Sequence, residues 1–170
     1  PPVGWIYLSS LGQNTESFHH EIAQYVQNNP ETKLAFQPGT FQMSLGTDKL
    51  ADLYKSTELF FCNKQEAERI LKLGDTEPKI LISKLHELGP TMVVMTDGVN
   101  GLYASDGVNV YQLPAYPDIA PAVERTGAGD ATSSTIVSAL AMGKSFEDAL
   151  LYGPINSMNV VQHIGAQEGL

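Results

Sequence analysis

The chain has 170 residues, 42% of them hydrophobic, and its 10 basic against 19 acidic side chains leave a net charge of −9. That length suffices for one domain with a real core, and no apolar run approaches the roughly 20 residues a membrane span needs. The negative field opposes polyanions, which excludes nucleic acid and anionic membrane as expected partners but leaves room for a small phosphate ligand at a local positive site.

Pro1-Pro2-Val3-Gly4 has neither a basic n-region nor a signal h-region and runs at once into a strand candidate, Trp5 to Leu8. The sequence is therefore expected to start within a fold, as a processed chain or as a piece of something longer. From about 15 to 28, Phe18, Ile22, Tyr25 and Val26 share one helical face, and Asn28-Asn29-Pro30 stops the helix. Lys33 to Phe36 reads as a short strand, Thr47 and Asp48 as the start of a helix carrying Leu50, Leu53 and Tyr54, and Leu59 to Cys62 as another strand. Cys62 is the single cysteine; it rules out an internal disulfide framework and fits a reducing compartment, so a cytoplasmic location is expected. Asn63 to Leu73 reads as helix. A further helix begun by Asp75, Thr76 and Pro78 aligns Ile80, Leu81, Leu85 and Leu88 and ends at Gly89-Pro90. Met92 to Thr96 is the most apolar strand in the chain.

Strands joined by helices of this length imply right-handed crossovers and a parallel sheet covered by helices. An antiparallel excursion follows: Leu102 to Ala104 and Val108 to Leu113 flank Asp106-Gly107, a type I′ hairpin signal. Then comes V-E-R-T-G-A-G-D-A-T-S-S, from Val123 to Ser134, opening a helix with Ile136, Val137, Leu140 and Ala141 on one face and its end at Gly143. Ser145 with Asp148 three residues on resembles a capping box and opens a last helix, which Pro154 is expected to kink or interrupt. No repeat or low-complexity linker divides the chain, and a single domain over 1–170 is expected.

Gly127 and Gly129 remove side-chain bulk from a tight turn whose N–H groups, with the helix dipole behind them, are shaped to hold an anion such as phosphate. Asp130 beside that anion is a poor phosphate ligand but a good base for a hydroxyl attacking phosphorus, which is a kinase arrangement. G-A-G-D by itself is read equally well as a sharp loop with a helix-capping aspartate. Asn63 and Glu66 have N-cap and N3 spacing and could simply cap a helix, Gly98 and Gly101 could be plain turn glycines, and His19, His20 and His86 have no metal-site spacing and read as surface helix.

T-G-A-G-D at 126 to 130, N-x-x-E at Asn63 to Glu66, T-x-G-x-x-G at Thr96 to Gly101 and the closing Gly165-Ala166 occur in an order that resembles the ribokinase-like carbohydrate kinases of the phosphofructokinase-B type. The resemblance covers essentially the whole chain and matches the C-terminal, nucleotide-binding half of such an enzyme. It implies an α/β, Rossmann-like three-layer sandwich with a mainly parallel sheet and an antiparallel hairpin excursion, lacking the N-terminal half and lid. It implies ATP-dependent phosphotransfer to a hydroxyl of a sugar or nucleoside, with Asp130 as general base and Gly127, Ala128 and Gly129 as the anion hole for the γ-phosphate. Asn63 and Glu66 would help position phosphate and Mg²⁺, Glu66 indirectly, and Thr96, Gly98 and Gly101 would shape the ATP site. His163 lies where the family's adenine pocket is completed, and a structural or surface role is expected of it.

Two departures accompany the match. Where the family usually has Asp-Thr before this motif, with the aspartate helping to hold a monovalent cation, this chain has Glu124-Arg125, which puts K⁺ dependence in doubt. Pro154 stands about where many relatives have an asparagine near the adenine. Because relatives bind sugar or nucleoside mainly through the half and lid missing here, the chain alone is not expected to be an efficient enzyme. The competing expectation is a catalytically incomplete nucleotide-binding or assembly module. A sheet edge left uncovered is also expected to favour self-association.

Overall fold

The structure is a computed structural model and describes residues 3–165. Its elements alternate as the sequence implies: β1 (Trp5–Leu8), α1 (Glu16–Asn28), β2 (Lys33–Phe36), α2 (Thr40–Leu45), α3 (Ala51–Lys55), β3 (Leu59–Asn63), α4 (Lys64–Leu71), α5 (Pro78–Glu87) and β4 (Met92–Thr96). A 3₁₀ turn at Gly98–Asn100, the strands β5 (Leu102–Ser105) and β6 (Val110–Leu113), and the helices α6 (Ala128–Ala141) and α7 (Phe146–Val160) complete the chain. The six strands form one sheet in the order β1-β2-β3-β4-β5-β6, with β1 at an edge. β1 and β2 run parallel with Leu8 opposite Phe36, and β2 and β3 run parallel with Phe36 opposite Phe60.

The chain forms two compact units. One comprises the residues up to Met95 together with Tyr103–Tyr111, the other Thr96–Leu102 together with the residues from Gln112 onward.

The first unit holds a continuous apolar core that includes Leu34, Phe36, Leu53, Phe60, Leu81, Leu85 and Met95. Phe36, Tyr54 and Phe60 meet with ring centroids 5.4 to 5.8 Å apart, within the range in which aromatic pairs attract beyond their area burial. Helix faces are rotated from their expected positions. In α1 the buried residues are His19, Ile22, Ala23 and Val26, while Phe18 and Tyr25 are exposed. The i, i+3, i+4, i+7 stripe accepts a histidine because His19 Nδ1 lies 2.6 Å from Thr15 O, although its Nε2 has no partner. His19 is thus a core residue, contrary to the surface role expected. In α5 Ile82 takes the buried place expected of Ile80.

α2 was not legible as a helix: its six residues begin after Gly39, whose N–H donates to Gln42 Oε1 at 3.0 Å, while the buried Gln42 donates from Nε2 to Ser9 O. α3 begins at Ala51 rather than at Thr47. The hairpin also departs from the expected type I′ turn, which requires positive φ at both central residues. Gly107 has φ +87, but Asp106 does not share it. Instead the Asp106 carboxylate gathers the loop, accepting from the N–H groups of Val108 and Asn109, from Asn109 Nδ2 and from the Tyr111 hydroxyl.

Those donors hold the Asp106 carboxyl well below the usual carboxylate range, the Asn109 bonds contributing most. A depressed folded-state pKa stabilises the fold above the unfolded value, about 4, and the contribution is lost as pH falls from there through the folded value. Asp106→Asn is therefore expected to lower the melting temperature at pH 7 and to reduce the further loss on acidification from about pH 5 to 2. Parallel thermal melts of the two proteins across that range check it; equal pH slopes would contradict it.

In the second unit α6 and α7 pack closely. A Cβ at Gly153 would lie 3.0 Å from Ile136 and Thr132 of α6, and Asn156 Nδ2 donates to Thr135 Oγ1 at 2.7 Å. This packing lets α7 run through Pro154 without the interruption expected there. An internal proline costs about 3 kcal/mol, and burial of Leu150, Gly153 and Val160 on the same helix offsets it. Ser145 accepts from the Asp148 N–H at 3.1 Å and caps α7 as expected.

Candidate functional site

The turn into α6 is built on Gly127. Its φ of +85° places it in the left-handed region, where an L side chain is strained, and it serves as the N-cap with no side chain to cap anything. Ala128, Gly129 and Asp130 are then the first three helical residues, so Asp130 sits in the first turn of α6 rather than as its cap. The first intrahelical bond comes from the Ala131 N–H to Gly127 O at 2.8 Å, and the Ala128 N–H makes only a long contact, 3.3 Å, with Arg125 O. Gly129 has ordinary helical φ; what it contributes is the missing side chain, not a special backbone angle. The hydroxyls of Thr132 and Ser133 turn back to the carbonyls of Ala128 and Gly129, each at 2.9 Å, and brace the first turn from inside.

A cavity of about 150 Å³ opens on this turn within the second unit. Ala128, Gly129, Thr132 and Arg125 line one part, Thr96, Gly98, Gly101 and Leu102 another, and Pro114, Tyr116, Pro154, Met158 and Val161 supply apolar surface. Gly101 is dictated by a close approach. With φ +89°, its Cβ would collide with the carbonyl oxygen of Leu113 and come within 2.7 Å of the Ala115 N–H nitrogen. Gly98 has φ +53° and open space around it, so only its backbone angle favours glycine.

The structure thus brings Thr96, Gly98 and Gly101 together with Ala128 and Gly129 around one cavity. Asn63 and Glu66 belong to the first unit. There they form a reciprocal capping box at the start of α4: the Glu66 N–H donates to Asn63 Oδ1 and the Asn63 N–H to Glu66 Oε2, both at 2.8 Å. The box occupies one oxygen of the Glu66 carboxylate. Cys62, next to it, is buried, and burial pushes its thiol pKa up, with the nearby Glu66 charge adding to the effect; it is core, not a nucleophile.

Glu124 also has a task of its own. Hydrogen bonds from the Thr126 hydroxyl, first, and from the Gly165 N–H, at 2.9 Å, hold its carboxyl below the usual range. With the Val123 and Glu124 N–H groups both directed at Val161 O, this strand of chain is tied to the end of α7. The partner of Gly165 in the sequence pattern, Ala166, lies outside the described residues. The apolar contributors Tyr116, Met158 and Val161 were not legible in advance, because nothing in a loop or a buried helix face marks which residues border a cavity.

Among the described residues no group of three or more His, Cys, Asp or Glu side chains could hold a metal ion. Magnesium carried by a nucleotide needs no such cage, since phosphates and waters fill most of its octahedron with one or two carboxylates. Backbone N–H groups at a helix start, glycines without Cβ and an apolar wall are a donor set that fits a nucleoside polyphosphate. No helix among the described residues is long and apolar enough to cross a membrane.

Comparison with known proteins gives the family and the fold. A ribokinase from Bacillus subtilis is 34% identical over 93 residues, covering 55% of this chain and 31% of that protein. A nucleoside kinase from Methanocaldococcus jannaschii is 25% identical over 171 residues, covering 92% of this chain and 54% of its own. A putative ribokinase II from E. coli, solved with ATP and Mg²⁺, superposes with a TM-score of 0.82 at 18% identity over 98% of this chain and 55% of that one. The chain spans about half the length, or less, of these proteins. Residues 6–170 match the pfkB family carbohydrate kinases, and the chain belongs to that family.

Proposed function

We propose that these 170 residues act as one α/β domain equivalent to the C-terminal part of a cytoplasmic, ATP-dependent kinase that phosphorylates a hydroxyl of a sugar or nucleoside. The observation that carries this reading is the left-handed Gly127 turn delivering the first turn of α6, with Asp130 in it, to a cavity walled by Gly98, Gly101 and apolar side chains. The N–H groups of Gly127, Ala128 and Gly129 hold the transferring phosphate and stabilise charge on it, as preorganised donors in a partly dry site do. Asp130 accepts the proton of the attacking hydroxyl. Thr96, Gly98 and Gly101 shape the nucleotide's seat. Mg²⁺, when bound with ATP, neutralises phosphate charge. Glu124 is left with a structural task, so that a monovalent cation is not needed behind the turn.

The second reading is a nucleotide-binding or assembly module without turnover. The two are separated by measuring ADP release with a panel of sugars and nucleosides, on this chain and on the longest natural protein that contains it. Acceptor-dependent ADP release in the longer protein supports the kinase; tight ATP binding with no acceptor-dependent release in either supports the module.

A further inference from the structure

We propose that Arg125 is a ligand for the nucleotide's polyphosphate, with its guanidinium supplying the full positive charge that the turn at Gly127–Gly129 lacks. The inference rests on the nucleotide reading above and assigns a residue that this reading does not require. Its position is fixed by the backbone: Arg125 O accepts from the Ala128 N–H at 3.3 Å, so the arginine stands one turn ahead of α6. It lines the same cavity as Ala128 and Gly129, and among the described residues it is the one basic side chain there, with Asp118 the one acidic side chain.

The adjacent carboxylate does not neutralise it. Glu124 is engaged by the Thr126 hydroxyl and the Gly165 N–H, and the ion pairs among the described residues join Lys33 to Glu58, Lys49 to Glu16, and Lys64 to Glu68 and Asp75. An arginine with no ion pair among the described residues, beside a cavity in a chain of net charge −9, is placed for an anion from outside.

Charge decides which anion. A helix start is equivalent to roughly half an elementary charge, enough for a neutral or singly charged group but well short of a triphosphate. A guanidinium adds a whole charge that does not titrate and a planar fork that meets two phosphate oxygens at once. The ligand class is therefore a nucleoside di- or triphosphate, not a free sugar or nucleoside.

Calorimetric titration of wild type, Arg125→Met and Arg125→Lys with ATP and, at millimolar concentration, with adenosine tests the assignment. Losing charge-assisted hydrogen bonds should weaken ATP binding by about 10- to 100-fold in Arg125→Met. Adenosine affinity should stay within about twofold, since the guanidinium does not touch the base. Arg125→Lys, a point charge without the fork, should recover part of the loss. An ATP affinity unchanged in Arg125→Met, or reduced no more than that of adenosine, overturns the proposal. A wild-type chain that binds neither ligand instead overturns the nucleotide reading on which it rests.

Discussion

Asp130→Asn is expected to slow phosphotransfer by a factor of about 10² to 10⁴, the range for a positioned general base, while ATP affinity stays the same or rises slightly. The two effects part because the carboxylate is asked to act only as the acceptor hydroxyl attacks, whereas in the ground state it is a negative charge in the helix turn proposed to hold the γ-phosphate. Asp130 is exposed in the first turn of α6 and is not the helix cap, so an asparagine there disturbs no core packing. The measurements are kcat in the longest natural protein containing this chain and ATP affinity by calorimetry. Near-normal turnover in Asp130→Asn would remove the base assignment.

Gly129→Val is expected to show the reverse order of severity. Gly129 lines the cavity from the first turn of α6, where the backbone must come within hydrogen-bond distance of phosphate oxygens. A branched side chain there pushes the anion off the N–H groups, and losing hydrogen bonds to a charged ligand costs roughly 1.5–3 kcal/mol each, so ATP affinity should fall by at least about tenfold. Thermal melts separate this loss from unfolding: Gly129 has helical φ, so a valine there meets none of the strain of a left-handed position. A variant that melts normally and binds ATP as well as wild type would show that phosphate sits elsewhere.

How much of this was legible in advance depends on how locally each feature is determined. The strands β1, β2 and β4 stand where their apolar runs place them, since a buried strand is specified by a few consecutive residues. The Gly127 turn and the helix after it were equally plain, because a left-handed residue followed by an apolar-periodic run leaves a short, specific pattern. The helix faces were not. In α1 a histidine with a backbone partner outcompeted Phe18 and Tyr25 for the interior, a choice made by tertiary packing rather than hydropathy. Gly39–Leu45 carried no periodic signal, and α2 rests instead on the buried Gln42 bridging Gly39 and Ser9. Local cost alone argues against a helix through Pro154, and the close seat of Gly153 against α6 is the long-range contribution that outweighs it.

The candidate site divides in the same way. Glycine positions were legible because backbone geometry excludes other residues there: Gly101 lies against the backbone of Leu113 and Ala115. The capping box of Asn63 and Glu66 was legible as spacing, and its two 2.8 Å hydrogen bonds realise that spacing in full. Nothing local could have shown that Glu124 would be bound by Gly165, 41 residues away.

The central claim is that the N–H groups of the Gly127–Gly129 turn hold the transferring phosphate of ATP. A crystal structure with a non-hydrolysable ATP analogue tests it most directly. The account predicts γ-phosphate oxygens within about 3.2 Å of those backbone nitrogens, with the base against the apolar wall of Pro154, Met158 and Val161. A nucleotide bound with its phosphates away from the turn, and water or protein groups on those three N–H donors, would contradict it.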